Sequence, residues 1–94
     1  MICSDLKVGL VFKYSNAKFE ILSFDEKNIQ FKVLSSDDEH LNTYVDLNKT
    51  YSAKLSFDYD DMKIWVVNEA ELKRTSSQLL IAWENGRFNW EIDS

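Results

Sequence analysis

Two acidic stretches hold most of the side chains that could do chemistry. The first is Ser36-Asp37-Asp38-Glu39-His40, which contains the chain's single histidine. A metal site here would use Asp37, Asp38 and His40 as ligands. Neighbouring carboxylates do not converge on one ion unless the loop forces them to, and no second ligand cluster lies nearby in sequence. These residues therefore predict a solvated acidic turn on a surface loop. The second stretch is Phe57-Asp58-Tyr59-Asp60-Asp61. It matches half of a calcium loop, but the glycine and the distal bidentate glutamate are missing. The expected metal and cofactor complement is none.

Catalytic arrangements are equally sparse. There is no Ser/His/Asp or Cys/His signature, and the 2 glycines cannot build a phosphate-cradling loop. The 16 acidic residues allow many carboxylate pairs, yet nothing in their spacing marks a pocket. A small barrel is filled by its own side chains. No catalytic residue is assigned, and the expectation is a protein that is not an enzyme. Cys3 stands alone, so an internal disulfide and a disulfide-built secreted scaffold are excluded.

Aromatic residues beside the acids are the more informative class. Tyr14, Tyr44, Tyr59 and Trp65 fall off the main inward pattern, so they either stand exposed or cover the far face of the curled sheet and close the barrel ends. An exposed ring gives a partner an apolar anchor, or helps form a cage for a cation. The candidate partner-binding residues are Asp37, Asp38 and Glu39 in one loop, Asp58, Tyr59, Asp60 and Asp61 in the other, and Trp65.

Composition bounds what these residues can serve. The chain has 94 residues, a net charge of −5, 45% hydrophobic and 14% aromatic residues. That is one domain with enough apolar bulk to fold unaided. The negative charge opposes direct nucleic-acid binding, which needs clustered Lys and Arg. It favours solubility and a basic partner. No stretch reaches the roughly 18 apolar residues of a membrane span. Asp5 and Lys7 interrupt the short apolar start, so no signal peptide is expected and the default location is the cytoplasm.

The elements that position the candidates are strands. Leu79 to Ile92 reads LLIAWENGRFNWEI, with Asn85-Gly86 as a type I′ turn signal. That turn pairs Trp83 with Phe88, Ile81 with Trp90 and Leu79 with Ile92, and puts all six on one face. Residues 7–14 read as the first strand, with Gly9 marking a bulge or close backbone approach. Residues 18–24 read as the second, and the change of parity from Phe19 and Ile21 to Phe24 predicts a bulge near Leu22-Ser23. Residues 29–35 alternate strictly. Residues 43–47 and 50–57 read as two strands joined by Asn48–Thr50. The next hairpin, 50–57 with 62–67, pairs Leu55 with Ile64 and Ala53 with Val66. Asn68 and Glu71 form a capping-box pattern that starts one or two helical turns over 69–75. A rival reading continues that helix to Glu84, but it would turn Ile81 away from the other apolar residues. The expected core contains Trp83, Phe88, Trp90, Ile81, Phe12, Phe31, Leu55 and Ile64.

The fold class that follows is all-β, with up to eight short strands in an antiparallel meander, closed as a small barrel or folded as a sandwich. The opening segment VGLVFKYSNAKFEILSFDEKNIQFKV has a glycine-containing first strand, a short turn, an aromatic-led second strand and an alternating third. It resembles the start of SH3-like and Tudor-like small barrels. The resemblance implies a fold and no activity.

The function expected on these grounds is a non-catalytic acidic module that binds a basic protein partner, with an inhibitor or nucleic-acid mimic as one version. The alternatives are an aromatic-cage reader of a ligand such as modified lysine, and a small hydrolytic enzyme. The enzyme would need a concave pocket with titratable groups.

Overall fold

The computed structural model describes residues 6–14, 17–74, 78–85 and 87–93. Seven strands follow one another around a single antiparallel sheet in chain order. They are β1 (Val11–Tyr14), β2 (Ala17–Phe24), β3 (Asn28–Ser36), β4 (Thr50–Asp58), β5 (Met62–Val67), β6 (Gln78–Glu84) and β7 (Arg87–Asp93). The sheet curls until its two edges meet. The Phe12 ring on β1 lies 3.9 Å from that of Phe88 on β7, which nearly closes a barrel.

The β6–β7 hairpin has the register that the Asn-Gly turn dictates. Glu84 pairs with Arg87, Trp83 with Phe88, Ile81 with Trp90 and Leu79 with Ile92. Asn85 adopts φ 53°, a left-handed conformation that Asn tolerates. Gly86 lies outside the described residues. The β2 bulge also falls where parity predicts it, because pairing with β3 skips from Ile21 to Ser23.

Inside the barrel the apolar face of each strand meets an aromatic cluster. Phe19 contacts Phe31 edge-on at 5.7 Å and Trp90 at 4.8 Å. Tyr51 stacks on Phe31, and Trp65 stacks on Phe88. Phe31, Ile81 and Phe88 are buried, and Phe12, Leu55, Trp83 and Trp90 are partly buried against the same cluster. Offset and edge-on ring pairs each contribute about 0.5–1.5 kcal/mol beyond their area.

Four expectations need correcting. First, β1 begins at Val11, not at residue 7. Gly9 takes φ 86° in a turn and donates its N–H to the Ile21 carbonyl at 2.8 Å. A β-carbon at Gly9 would meet nothing within 4 Å, so the backbone angle alone favours glycine there.

Second, residues 43–47 are not a strand. β3 pairs directly with β4. The long connection between them holds a 3-10 turn, Leu41–Thr43, and buries Leu41, Tyr44 and Val45. Burying them as loop anchors satisfies the same apolar signal that reads as strand.

Third, the β4–β5 register is shifted. A bulge at Ser56 pairs Leu55 with Trp65 and Phe57 with Ile64. Lys63, Trp65 and Val67 therefore face the interior, while Ile64 lies outside the core cluster.

Fourth, the described part of the 69–75 segment, residues 69–74, contains a 3-10 turn, Glu69–Glu71, in place of one or two helical turns. Asn68 caps it by accepting from the Ala70 N–H. The Glu71 carboxylate does not close a capping box. It crosses to β4, accepting from the Ser52 N–H at 3.0 Å and from the Ser52 hydroxyl at 2.6 Å.

Candidate functional site

An antiparallel meander sends successive connections to alternate ends of the barrel. Residues 37–49 and 68–74 therefore cap one end, the long-loop end. The β2–β3, β4–β5 and β6–β7 turns gather at the other, the tight-turn end. The two acidic stretches thus sit at opposite ends. Asp37, Asp38 and Glu39 are not brought together with Asp58, Tyr59, Asp60 and Asp61.

At the long-loop end the acids serve the loop itself. One oxygen of Asp38 accepts from the His40 N–H at 2.9 Å and from the Leu41 N–H at 3.2 Å. These bonds start the 3-10 turn whose Leu41 is anchored in the core. Tyr44 follows, buried, with the Arg74 guanidinium 5.4 Å from its ring centre. Lys73 reaches across to Asp46 at 3.3 Å and donates to the Asn42 carbonyl. The Asp46 N–H donates to the Tyr51 hydroxyl at 2.7 Å. Burial pushes that hydroxyl's pKa above its ordinary value. Asp37 and Glu39 are exposed.

At the tight-turn end the pattern differs. Asp25 is used locally, since its carboxylate accepts from the Lys27 and Asn28 N–H groups, both at 2.8 Å. Those bonds hold its pKa below the ordinary carboxylate value. The β4–β5 turn is closed by Tyr59 donating its N–H to the Met62 carbonyl. Its side chains project outward, with Tyr59 55% and Phe57 49% exposed. Asp60 and Asp61 are exposed as well. They make no salt bridge among the described residues. Asp58 is the exception, because it accepts a short bond from the Lys63 ammonium, which lowers its pKa.

Two of the four rings set off the inward pattern are not exposed. Trp65 is 3% exposed and Tyr44 1%. The bulge at Ser56 turns Trp65 inward, and the 3-10 turn folds Tyr44 beneath its loop. Neither ring is available on the surface, which removes Trp65 from the candidate partner-binding residues. Nothing is assigned to the Tyr14 side chain, which lies outside the described side chains.

One functional group was not anticipated at all. Lys63 is the one buried charged side chain among the described residues, at 2% exposure. It sits beside a cleft of about 410 Å³ bordered by Leu6, Lys27, Lys54, Leu55, Asp58 and Trp65. The only sequence signal was the choice of parity in β5. Either Met62, Ile64 and Val66 or Lys63, Trp65 and Val67 could face inward, and a lysine in the second set argued the wrong way. No group of three or more His, Cys, Asp or Glu side chains that could hold a metal ion occurs among the described residues. No described helix is long and apolar enough to cross a membrane.

Comparison with protein families, with curated proteins and with solved structures finds no match for this chain.

Proposed function

We propose that this protein is a non-catalytic binding module that engages a basic protein surface through its tight-turn end. One observation carries the reading: Phe57 and Tyr59 stand half exposed in the same short stretch as the exposed Asp60 and Asp61. An exposed apolar patch marks interaction sites, and clustered like charges repel one another, though water and salt reduce that cost. A basic partner turns the repulsion into attraction and speeds encounter. Tyr59 and Phe57 supply the desolvated anchor that charge alone lacks. An inhibitor that covers a nucleic-acid-binding surface by presenting carboxylates where phosphates would lie is one form of such a module.

Two features favour this over a cage that reads a cation. Tyr44 and Trp65 are inside the core, which removes two of the four rings a cage could draw on. At the long-loop end, Lys49 lies 5.3 Å from the Tyr51 ring and Arg74 beside Tyr44, so cations of the chain itself already face those rings.

The test uses a partner captured by the intact protein from host-cell extract. Association is measured from about 0.05 to 0.5 M salt, a range over which the screening length falls several-fold. The parent should associate more slowly as salt rises. Asp60→Asn with Asp61→Asn should lower the rate at low salt by about tenfold and flatten the salt dependence. Tyr59→Ala should act mainly on dissociation. Unchanged rates in both variants would overturn the proposal.

A further inference from the structure

We infer that the cleft beside Lys63 is a binding site for a small organic carboxylate with an apolar body. The inference does not depend on the protein-binding reading. It starts from the ammonium. A lysine carries three donors, and Lys63 uses two of them, on Asp58 and on the Tyr59 carbonyl at 3.4 Å. The third has no acceptor among the described residues. A buried cation left short of acceptors is costly, and a carboxylate entering the cleft would supply one.

The partner of Lys63 is built to yield. The Lys63 side chain is 3% exposed, whereas that of Asp58 is 50% exposed. An incoming carboxylate can share the ammonium or displace Asp58 toward water, where its charge is solvated. Leu6, Leu55 and Trp65 form the apolar part of the lining. The volume of about 410 Å³ falls within the range of small-molecule sites. It suits a body of one or two rings.

The sign of the ligand is set by the buried ammonium and not by the rim. Asp25, Glu26 and Asp58 border the cleft along with Lys27, Lys54 and Lys63, so the formal charges balance. They are not equally free. Asp58 is bound to Lys63, and one oxygen of Asp25 is held by its own turn. Lys27 and Lys54 make no salt bridge among the described residues. Asp25 keeps its negative charge in that turn, so outside the Asp58–Lys63 pair Lys27 and Lys54 stand against Asp25 and Glu26. A cationic ligand would instead meet the buried ammonium and be repelled.

The test uses 2-naphthoate as the probe and 2-naphthamide as the uncharged control of the same shape. Amide chemical shifts of the intact protein are followed on titration. Saturable shifts are expected at Leu55, Lys63 and the Trp65 indole, with the amide binding about tenfold more weakly. Lys63→Met removes the ammonium and leaves half-exposed Asp58 to water, and it should weaken naphthoate by about tenfold while the spectrum stays dispersed. If that variant does not fold, the acid-versus-amide comparison on the parent decides alone. The inference is overturned by no saturable shift up to about 10 mM, by equal affinity for acid and amide, by shifts spread over surface lysines, or by a folded Lys63→Met protein that binds as the parent does.

Discussion

The two ends of the barrel start from similar material and use it differently. Each presents a run of carboxylates with an aromatic nearby. At the long-loop end Asp38 caps a turn, Tyr44 is buried, and Lys73 and Arg74 fold back over the loop. At the tight-turn end Tyr59 and Phe57 face solvent, and Asp60 and Asp61 have no charge partner among the described residues. The difference lies in connection length. Thirteen residues between β3 and β4 are enough to form a 3-10 turn and bury an apolar anchor. Three residues between β4 and β5 cannot fold back on themselves, so their side chains must point away from the barrel. Residue type alone does not separate a structural acid from an available one. The length of the loop that carries it does.

That contrast is most easily broken with the aromatics. Tyr44→Ala empties a buried site and should cost about 3–5 kcal/mol, as large aromatic truncations do. A domain of this kind has only about 5–15 kcal/mol in total, so the variant should be close to unfolding in a urea titration. Phe57→Ala at the other end should stay within about 0.5 kcal/mol of the parent, as surface changes usually do. Comparable losses from the two would mean that both ends are structural.

Glu71→Ala sharpens the contrast. Its carboxylate ties the segment after β5 to half-buried Ser52 on β4 through two hydrogen bonds. Removing it should cost about 1–3 kcal/mol, the range for bonds to a charged group with a donor left unmet. Thermal unfolding should show a drop of several degrees. Asp60→Ala and Asp61→Ala should leave the midpoint where it is.

Acidification gives a smaller, signed effect. The folded-state pKa values of Asp58 and Asp25 are lowered, the first by Lys63 and the second by turn N–H groups. The unfolded chain therefore binds protons at higher pH than the folded one. The stability these groups contribute is complete above the ordinary carboxylate value, and it is lost as pH falls through the lower folded values. Urea midpoints should decline as pH drops below about 4, and Asp58→Asn should flatten that decline. A variant with the parent's full slope would show that Asp58 is not held by Lys63 in solution.

How much of this was legible depended on whether a segment's apolar residues share one parity. In β6 and β7 they do, around an Asn-Gly turn, and every pair of that hairpin could be read from Leu79 to Ile92. The β2 bulge was legible because Phe24 breaks the parity of Phe19 and Ile21. In β5 both parities are apolar apart from one lysine. A reader expects a lysine to face water, so Trp65 went to the wrong side and the buried ammonium was missed. The 43–47 segment carries a strand-like composition, but its apolar residues are loop anchors, and the choice between the two rests on tertiary packing. The acidic loops were legible as loops. Their placement at opposite ends followed only once 43–47 was removed from the count of strands, because one strand fewer reverses the end on which every later turn falls.

The most direct test compares the two ends in one experiment. The intact protein, an Asp37→Asn/Glu39→Gln variant and an Asp60→Asn/Asp61→Asn/Tyr59→Ala variant are used side by side to capture proteins from host-cell extract, with quantitative mass spectrometry as the readout. Asp38 and Asp58 are left in place, so the turn and the Lys63 pair stay whole. A basic protein should be retained by the parent and by the long-loop variant, and lost from the tight-turn variant. Equal retention by all three, or loss confined to the long-loop variant, would contradict it.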